Sequence, residues 1–204
     1  MNKQLLDELD SYYNNYITND SNCSLIQSDD DDDDVNILNF TYGTTPFETF
    51  KKVIDEVKKP KRFVVLGSSI GWQCFFWNSL FPDIPVIGVE IHQFRFEFSC
   101  YLAEKYQIQN ISFINDDIRN MDFDNGDLIW ENNVCFSDIS DEVNWRVLTR
   151  YEDIQIVSYS SILFEHQSNS KILLIDHKGN FKGFTQRKLE LPVSWSEKQT
   201  FNII

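Results

Sequence analysis

The most constraining feature of the sequence is one junction, at which Arg62-Phe63-Val64-Val65-Leu66 runs straight into Gly67-Ser68-Ser69-Ile70-Gly71. An apolar run of strand length without polar alternation needs cover on both faces, which is the situation of a buried strand in a parallel sheet. The chain has only 7 glycines, and two of them bracket this turn. Glycine there lets the backbone turn tightly and approach a ligand, and a helix starting at about Gly71 offers free N–H groups to it. Glycine also simply closes strand-to-helix connections, so the turn alone leaves both readings open.

The rest of the chain fits around that strand. Thr45-Pro46-Phe47-Glu48 reads as an N-cap Thr, a Pro at N1 and a Glu at N3, opening a helix that buries Phe47, Phe50, Val53, Ile54 and Val57 and stops before Pro60. After the junction, periodicity predicts helix 72–80, strand 85–89, helix 93–106, strand 111–114, strand 127–130, a helix carrying Val143, Trp145, Val147 and Leu148, and strand 154–159. Segments 172–175, 184–191 and 195–203 read as an antiparallel end to the sheet. Parallel βα units followed by a terminal β pair make an α/β, doubly wound sheet with its ligand at the carboxyl ends of the strands.

Ahead of this body, Leu5, Leu6, Leu9, Tyr12, Tyr13 and Tyr16 fall on one stripe of a helix expected to dock on it. A polar stretch then leads into Asp29 to Asp34, whose mutual repulsion suits a solvated linker. A calcium cage needs spaced oxygens, a glycine turn and a terminal Glu, which that run lacks. Two units are therefore expected: residues 1–41, helix and acidic linker, and residues 42–204, the α/β domain.

Charge and cysteine content narrow the functional classes. Eighteen Lys and Arg against 32 Asp and Glu leave a net charge of −14, which repels phosphate polyanions, so no tight nucleic-acid binding is expected. The opening MNKQLLDELD is too acidic for a signal peptide, and no apolar run has membrane-spanning length; the expectation is an intracellular protein, cytoplasmic or nuclear, without a membrane partner. Cys23, Cys74, Cys100 and Cys135 match neither a zinc spacing nor a disulfide framework, and His92, His166 and His177 have no mutual metal spacing; no metal is expected. The stripe Phe94, Phe98, Tyr101, Leu102 reads as core.

Glu90 ends the second strand, 19 residues after Gly71, where an acid can accept both ribose hydroxyls of an adenosine cofactor. Asn115-Asp116-Asp117 ends the third strand, where a carboxylate can meet the adenine amine. The glycine spacing departs from G-x-G-x-x-G and no second mononucleotide half follows, so S-adenosylmethionine fits better than NAD.

Read together, Tyr42-Gly43-Thr44-Thr45, Phe63 to Gly71, Gly88-Val89-Glu90, Asn115-Asp116-Asp117, Ile129 to Phe136 and Val193-Ser194-Trp195-Ser196 resemble the ordered motifs of the disruptor-of-telomeric-silencing ("Dot-one") histone lysine methyltransferases. The resemblance spans Tyr42 to Ile203. It implies a Rossmann-like seven-stranded methyltransferase sheet, mostly parallel with an antiparallel C-terminal strand pair. It also implies S-adenosyl-L-methionine as cofactor and an amine as methyl acceptor; the expected acceptor is a protein lysine, and the acidic surface suits a basic protein partner. Carried over, Tyr42 and Thr45 would close over the methionine end, and Gly67, Ser68 and Gly71 would lie under the cofactor. Glu90 would bind ribose, Asp116, Asp117 and Ile118 would hold adenine, and Asn132 would face the transferring methyl, with Phe136 and Trp195 walling the acceptor channel. Asn132-Asn133 also reads as a plain turn after a strand. The family's acid two places before its first glycine is Val65 here, and its second loop glycine is Ser69; no Lys/Arg-rich nucleosome-binding extension is visible. These departures leave two alternatives, a degenerate methyltransferase-fold binding module and a small-molecule amine methyltransferase.

Overall fold

The computed structural model describes residues 2–12, 45–132, 139–159, 171–175, 181–193 and 196–204. Its helices are α1 (Lys3–Tyr12), α2 (Phe47–Ile54), α3 (Trp72–Leu80), α4 (Gln93–Lys105) and α5 (Ile139–Arg150), with a 3-10 turn at Ile118–Asn120. Its strands are β1 (Arg62–Leu66), β2 (Val86–Val89), β3 (Ile111–Ile114), β4 (Asp127–Glu131), β5 (Gln155–Ser158), β6 (Lys171–Ile175), β7 (Phe181–Thr185), β8 (Arg187–Val193) and β9 (Ser196–Ile203).

Seven of the strands form one sheet in the order β3-β2-β1-β4-β5-β9-β8. β1 is central, pairing in parallel with β2 through Phe63↔Val86 and with β4 through Phe63↔Leu128. β3 and β5 extend the parallel set on either side, β9 pairs antiparallel with β5, and β8 pairs antiparallel with β9. This is the Rossmann-like α/β sheet expected from the resemblance. The chain winds outward from β1 through β2 to β3, then returns to β4 on the other side. That reversal between β1 and β4 is the switch point where such sheets open a crevice beyond their carboxyl ends.

Both faces of β1 are covered, as its unbroken apolar run requires. Phe63 and Val65 pack into one cluster with Phe50, Phe76, Trp77 and Trp130, while Val64 and Leu66 point the opposite way onto Ile129, Val143, Val147 and Ile156. Phe63 stacks on Trp77 with ring centroids 4.3 Å apart, and Phe50 reaches Trp130 at 5.0 Å. The stripe of α1 joins the first cluster through Leu5, Leu9 and Tyr12, and Tyr12 stacks on Phe98 of α4 at 4.3 Å. Glu8 adds a second tie, its Oε1 accepting from Lys105 Nζ and from the Tyr106 hydroxyl, each at 2.6 Å. The boundary expected at residues 41 and 42 lies outside the described residues, as does the Asp29 to Asp34 run.

Four sequence expectations are corrected. Pro46, not Thr45, is the N-cap of α2, with no side-chain cap bond, because the Thr45 hydroxyl is engaged with the Tyr159 hydroxyl. That helix also ends at Ile54, short of Val57. The antiparallel end divides: among the described residues β6 and β7 pair with each other as a separate two-stranded sheet, and β8 and β9 complete the main one. Phe94 and Tyr101 are 52% and 51% exposed, so of the stripe read as core only Leu102 is fully buried, with Phe98 partly so beneath Tyr12. Cys74 and Cys100 are free thiols, and Cys23 and Cys135 lie outside the described residues. Among the described residues no helix is long and apolar enough to cross a membrane.

Candidate functional site

The carboxyl edge is built from the β1–α3 turn outward. Gly67, Ser69 and Gly71 all have left-handed backbone, with φ of 69°, 49° and 87°. Glycine meets this without strain, and Ser69 does not. Packing also demands Gly71: a Cβ there would stand 2.8 Å from Phe75 Cε2 and 2.9 Å from Phe113 Cζ. The turn is tied sideways to β2, because Ser68 N–H donates to Val89 O at 2.9 Å and Ser69 N–H donates to Glu90 Oε2 at 2.7 Å.

Glu90 is 6% exposed, and its other oxygen, Oε1, accepts from His92 N–H at 2.9 Å. Burial raises its pKa, against the charge of Arg95 and the two backbone donors. Asn115 clamps the end of β3 to that of β2, donating through Nδ2 to Glu90 O at 2.8 Å and to Ile91 O at 2.9 Å. Asp116 Oδ1 accepts from Asp117 N–H at 2.7 Å and from Asn120 Nδ2 at 2.9 Å. Asp117 caps the 3-10 turn through Arg119 N–H at 2.8 Å and pairs with the Arg119 guanidinium at 2.6 Å. Partial burial pushes the Asp117 carboxyl up, but Arg119, through its side chain, backbone N–H and charge, brings it below the ordinary value. Ile118 beside it is 9% exposed.

Asn132 follows β4 and reaches back to the glycine turn. Its Nδ2 donates to Gly67 O at 2.8 Å, while its Oδ1 accepts from Gln73 Nε2 at 3.2 Å and from Trp130 Nε1 at 3.1 Å. Tyr159, just past β5, lies in the same neighbourhood, its phenol pKa raised by burial and opposed chiefly by its hydrogen bond with Thr45. The predicted set Thr45, Gly67, Ser68, Gly71, Glu90, Asp116, Asp117, Ile118 and Asn132 thus lies at or beyond the carboxyl ends of the sheet. Tyr42, Asn133, Phe136 and Trp195 lie outside the described residues.

Sequence reasoning missed Gln73, Tyr159 and Glu131. Gln73 is the lone amide in the apolar run Trp72 to Trp77, and that isolation is its signal in the sequence. Glu131 ends a strand otherwise buried and apolar after Asp127. It is fully buried, and its Oε2 accepts from Ser140 Oγ at 3.1 Å and Asn144 Nδ2 at 2.9 Å, both on α5. Desolvation pushes its pKa up to about 7, resisted by those two donors.

No protein-family model and no curated protein sequence matches the chain. Among solved structures it is similar to the YcgJ protein from Bacillus subtilis, at 18% identity over 56% of this chain and 51% of that one, with a TM-score of 0.45. A mutant of MtNAS in complex with S-adenosylmethionine matches at 15% identity over 76% of this chain and 58% of that one, with a TM-score of 0.48. A SAM-dependent methyltransferase from Aquifex aeolicus matches at 9% identity over 76% and 87%, with a TM-score of 0.47. The chain thus spans between 51% and 58% of the length of the first two.

Proposed function

We propose that the chain is an S-adenosylmethionine-dependent N-methyltransferase whose acceptor is an amine of a basic protein, lysine being the side chain with that chemistry. The observation that carries the reading is the placement of the Gly67 turn, Glu90 and Asn115-Asp116-Asp117 at the successive carboxyl ends of β1, β2 and β3, beside the β1/β4 switch point. Two further features fit the cofactor. Ser68 Oγ and Ser69 Oγ are buried in the turn without a hydrogen-bond partner among the described residues, and each oxygen of Glu90 takes one backbone N–H, leaving capacity to accept a ribose hydroxyl.

When bound, the cofactor supplies a methyl group on a sulfonium, which a neutral amine takes by in-line displacement as the C–S electron pair returns to sulfur. The chain's own task is then orientation and exclusion of water, worth ~7–11 kcal/mol at the extreme. Glu90 would hold the ribose, Ser68 and the Gly67 turn the cofactor's floor, and Ile118 an adenine face. A surplus of 14 negative charges favours a basic partner.

One observation favours the degenerate binding module instead. Val65 stands where the resembled family carries an acid, and it is wholly buried in the core, so β1 offers no carboxylate to the cofactor's ammonium. Calorimetry with S-adenosylhomocysteine separates the readings: the wild type should bind, and Glu90→Ala should bind more than about tenfold more weakly. Absence of wild-type binding would sink the methyltransferase reading. Radiolabelled transfer to a basic protein fraction then tests the acceptor, with label on lysine expected. Binding without label on any protein or amine favours the module, and label only in the small-molecule fraction replaces the protein acceptor.

A further inference from the structure

We infer that the side-chain amide of Asn132 positions the glycine turn, is held in place by Gln73 and Trp130, and does not meet the acceptor amine. The inference rests on the reading of the carboxyl edge as a cofactor site, but its geometry is independent of that reading.

An asparagine side chain offers one acceptor oxygen and two N–H donors. Trp130 Nε1 can only donate, and it points at Asn132 Oδ1 from 3.1 Å, so the amide is oriented with its oxygen toward the indole and its nitrogen toward Gly67 O at 2.8 Å. Gln73 Nε2 donates to the same oxygen at 3.2 Å. Both lone-pair directions of Oδ1 are then used within the chain, leaving no side-chain acceptor to aim an amine lone pair. The backbone adds a fourth bond, Asn132 N–H to Leu66 O at 3.2 Å.

What Asn132 holds is the carbonyl that opens the left-handed turn of the site. Gly67 and Ser69 are both left-handed, and the β2 side restrains the turn through Val89 O and Glu90 Oε2. Asn132 supplies the matching restraint from the β4 side, and Gln73 fastens the first turn of α3 to the same amide. Strand β4, helix α3 and the turn are thereby triangulated through one side chain. Removing it frees the Gly67 carbonyl, and with it the surface that would lie beneath the cofactor.

The test uses the full chain and two readouts, backbone amide exchange by NMR and S-adenosylhomocysteine affinity by calorimetry. Asn132→Ala should speed exchange at Ser68, Ser69 and Gly71 by at least about tenfold while leaving α5 unchanged, and should weaken ligand binding by a similar factor. Asn132→Asp is nearly isosteric and can still accept from Gln73 and Trp130, yet it cannot donate to Gly67, so it should loosen the turn as Ala does. A role in packing alone predicts that the Asp variant behaves as wild type. Gln73→Leu should give about three- to tenfold by itself and nothing further in the Asn132→Ala background, because it acts through that amide. If Asn132→Ala fails to fold, Gln73→Leu carries the same exchange readout. Unchanged exchange and affinity with lost methyl transfer would return Asn132 to the acceptor and overturn the inference, as would additive Gln73 and Asn132 effects. Should the wild type bind no S-adenosylhomocysteine, the cofactor reading fails, while the exchange rates still decide the role of Asn132.

Discussion

The ends of β2 and β4 each bury a glutamate, and the two are held in opposite ways. Glu90 takes backbone N–H groups from Ser69 and His92, so its partners come from the turn and from its own strand end. Glu131 takes side-chain donors from Ser140 and Asn144, one turn apart on α5. Backbone donors persist in any sequence that keeps the turn, whereas side-chain donors vanish with one substitution. The contrast separates a carboxylate built into the supersecondary unit from one that depends on the choice of two residues on a distant helix. Both have raised pKa values, since neither set of donors fully replaces water.

The severest way to break the comparison is Glu90→Ala. It strands two buried backbone donors, each costing about 1–3 kcal/mol, so a loss of about 2–6 kcal/mol in urea unfolding is expected. A loss below about 1 kcal/mol would mean that water or a shifted turn satisfies those amides.

Glu131 sharpens it through pH. Its folded pKa of about 7 lies above the ordinary value of 4.5, so the folded chain holds the proton more tightly than the unfolded one. Its contribution is therefore complete below the unfolded value and is lost as pH rises toward 7, by about 3 kcal/mol in all, with no further change above. Glu131→Gln removes that titrating group, and melting curves from pH 5 to 8 should lose this fall with rising pH. Parallel curves for wild type and variant would place the Glu131 pKa near its ordinary value.

Asn144→Ala acts on the same carboxylate from the α5 side. Loss of that donor should raise the Glu131 pKa further and destabilise the protein by about 1–3 kcal/mol at pH 8, with a smaller loss at pH 5, where Glu131 is neutral. Equal losses at both pH values would assign the cost to packing.

The smallest effect is expected at the turn itself. Ser69 carries φ of 49° and a buried hydroxyl without a partner among the described residues, so Ser69→Gly should stabilise by about 1 kcal/mol and leave the Glu90 ties intact. A loss of stability would mean that the Ser69 hydroxyl contributes a bond of its own.

The sequence by itself determined those features whose physics is local. β1 at Arg62–Leu66, α3 at Trp72–Leu80 and β3 at Ile111–Ile114 fall where periodicity places them, and for β1 the apolar run and the glycine that stops it need no distant partner to be read. Glu90 was legible for the same reason, standing one strand after the glycine turn. Thr45 was misread, since its residue type fits a cap, yet its hydroxyl serves Tyr159, 114 positions away. Phe94 and Tyr101 were misread because helical periodicity marks a face without saying what covers it. Gln73 and Asn132 meet across 59 positions, and Asn132 reaches Gly67 across 65. Only the tertiary structure decides such pairings: a side chain's inventory of donors and acceptors is set by residue type, but which of them is spent inside the chain depends on the register of β1 against β4 and on where α3 comes to rest.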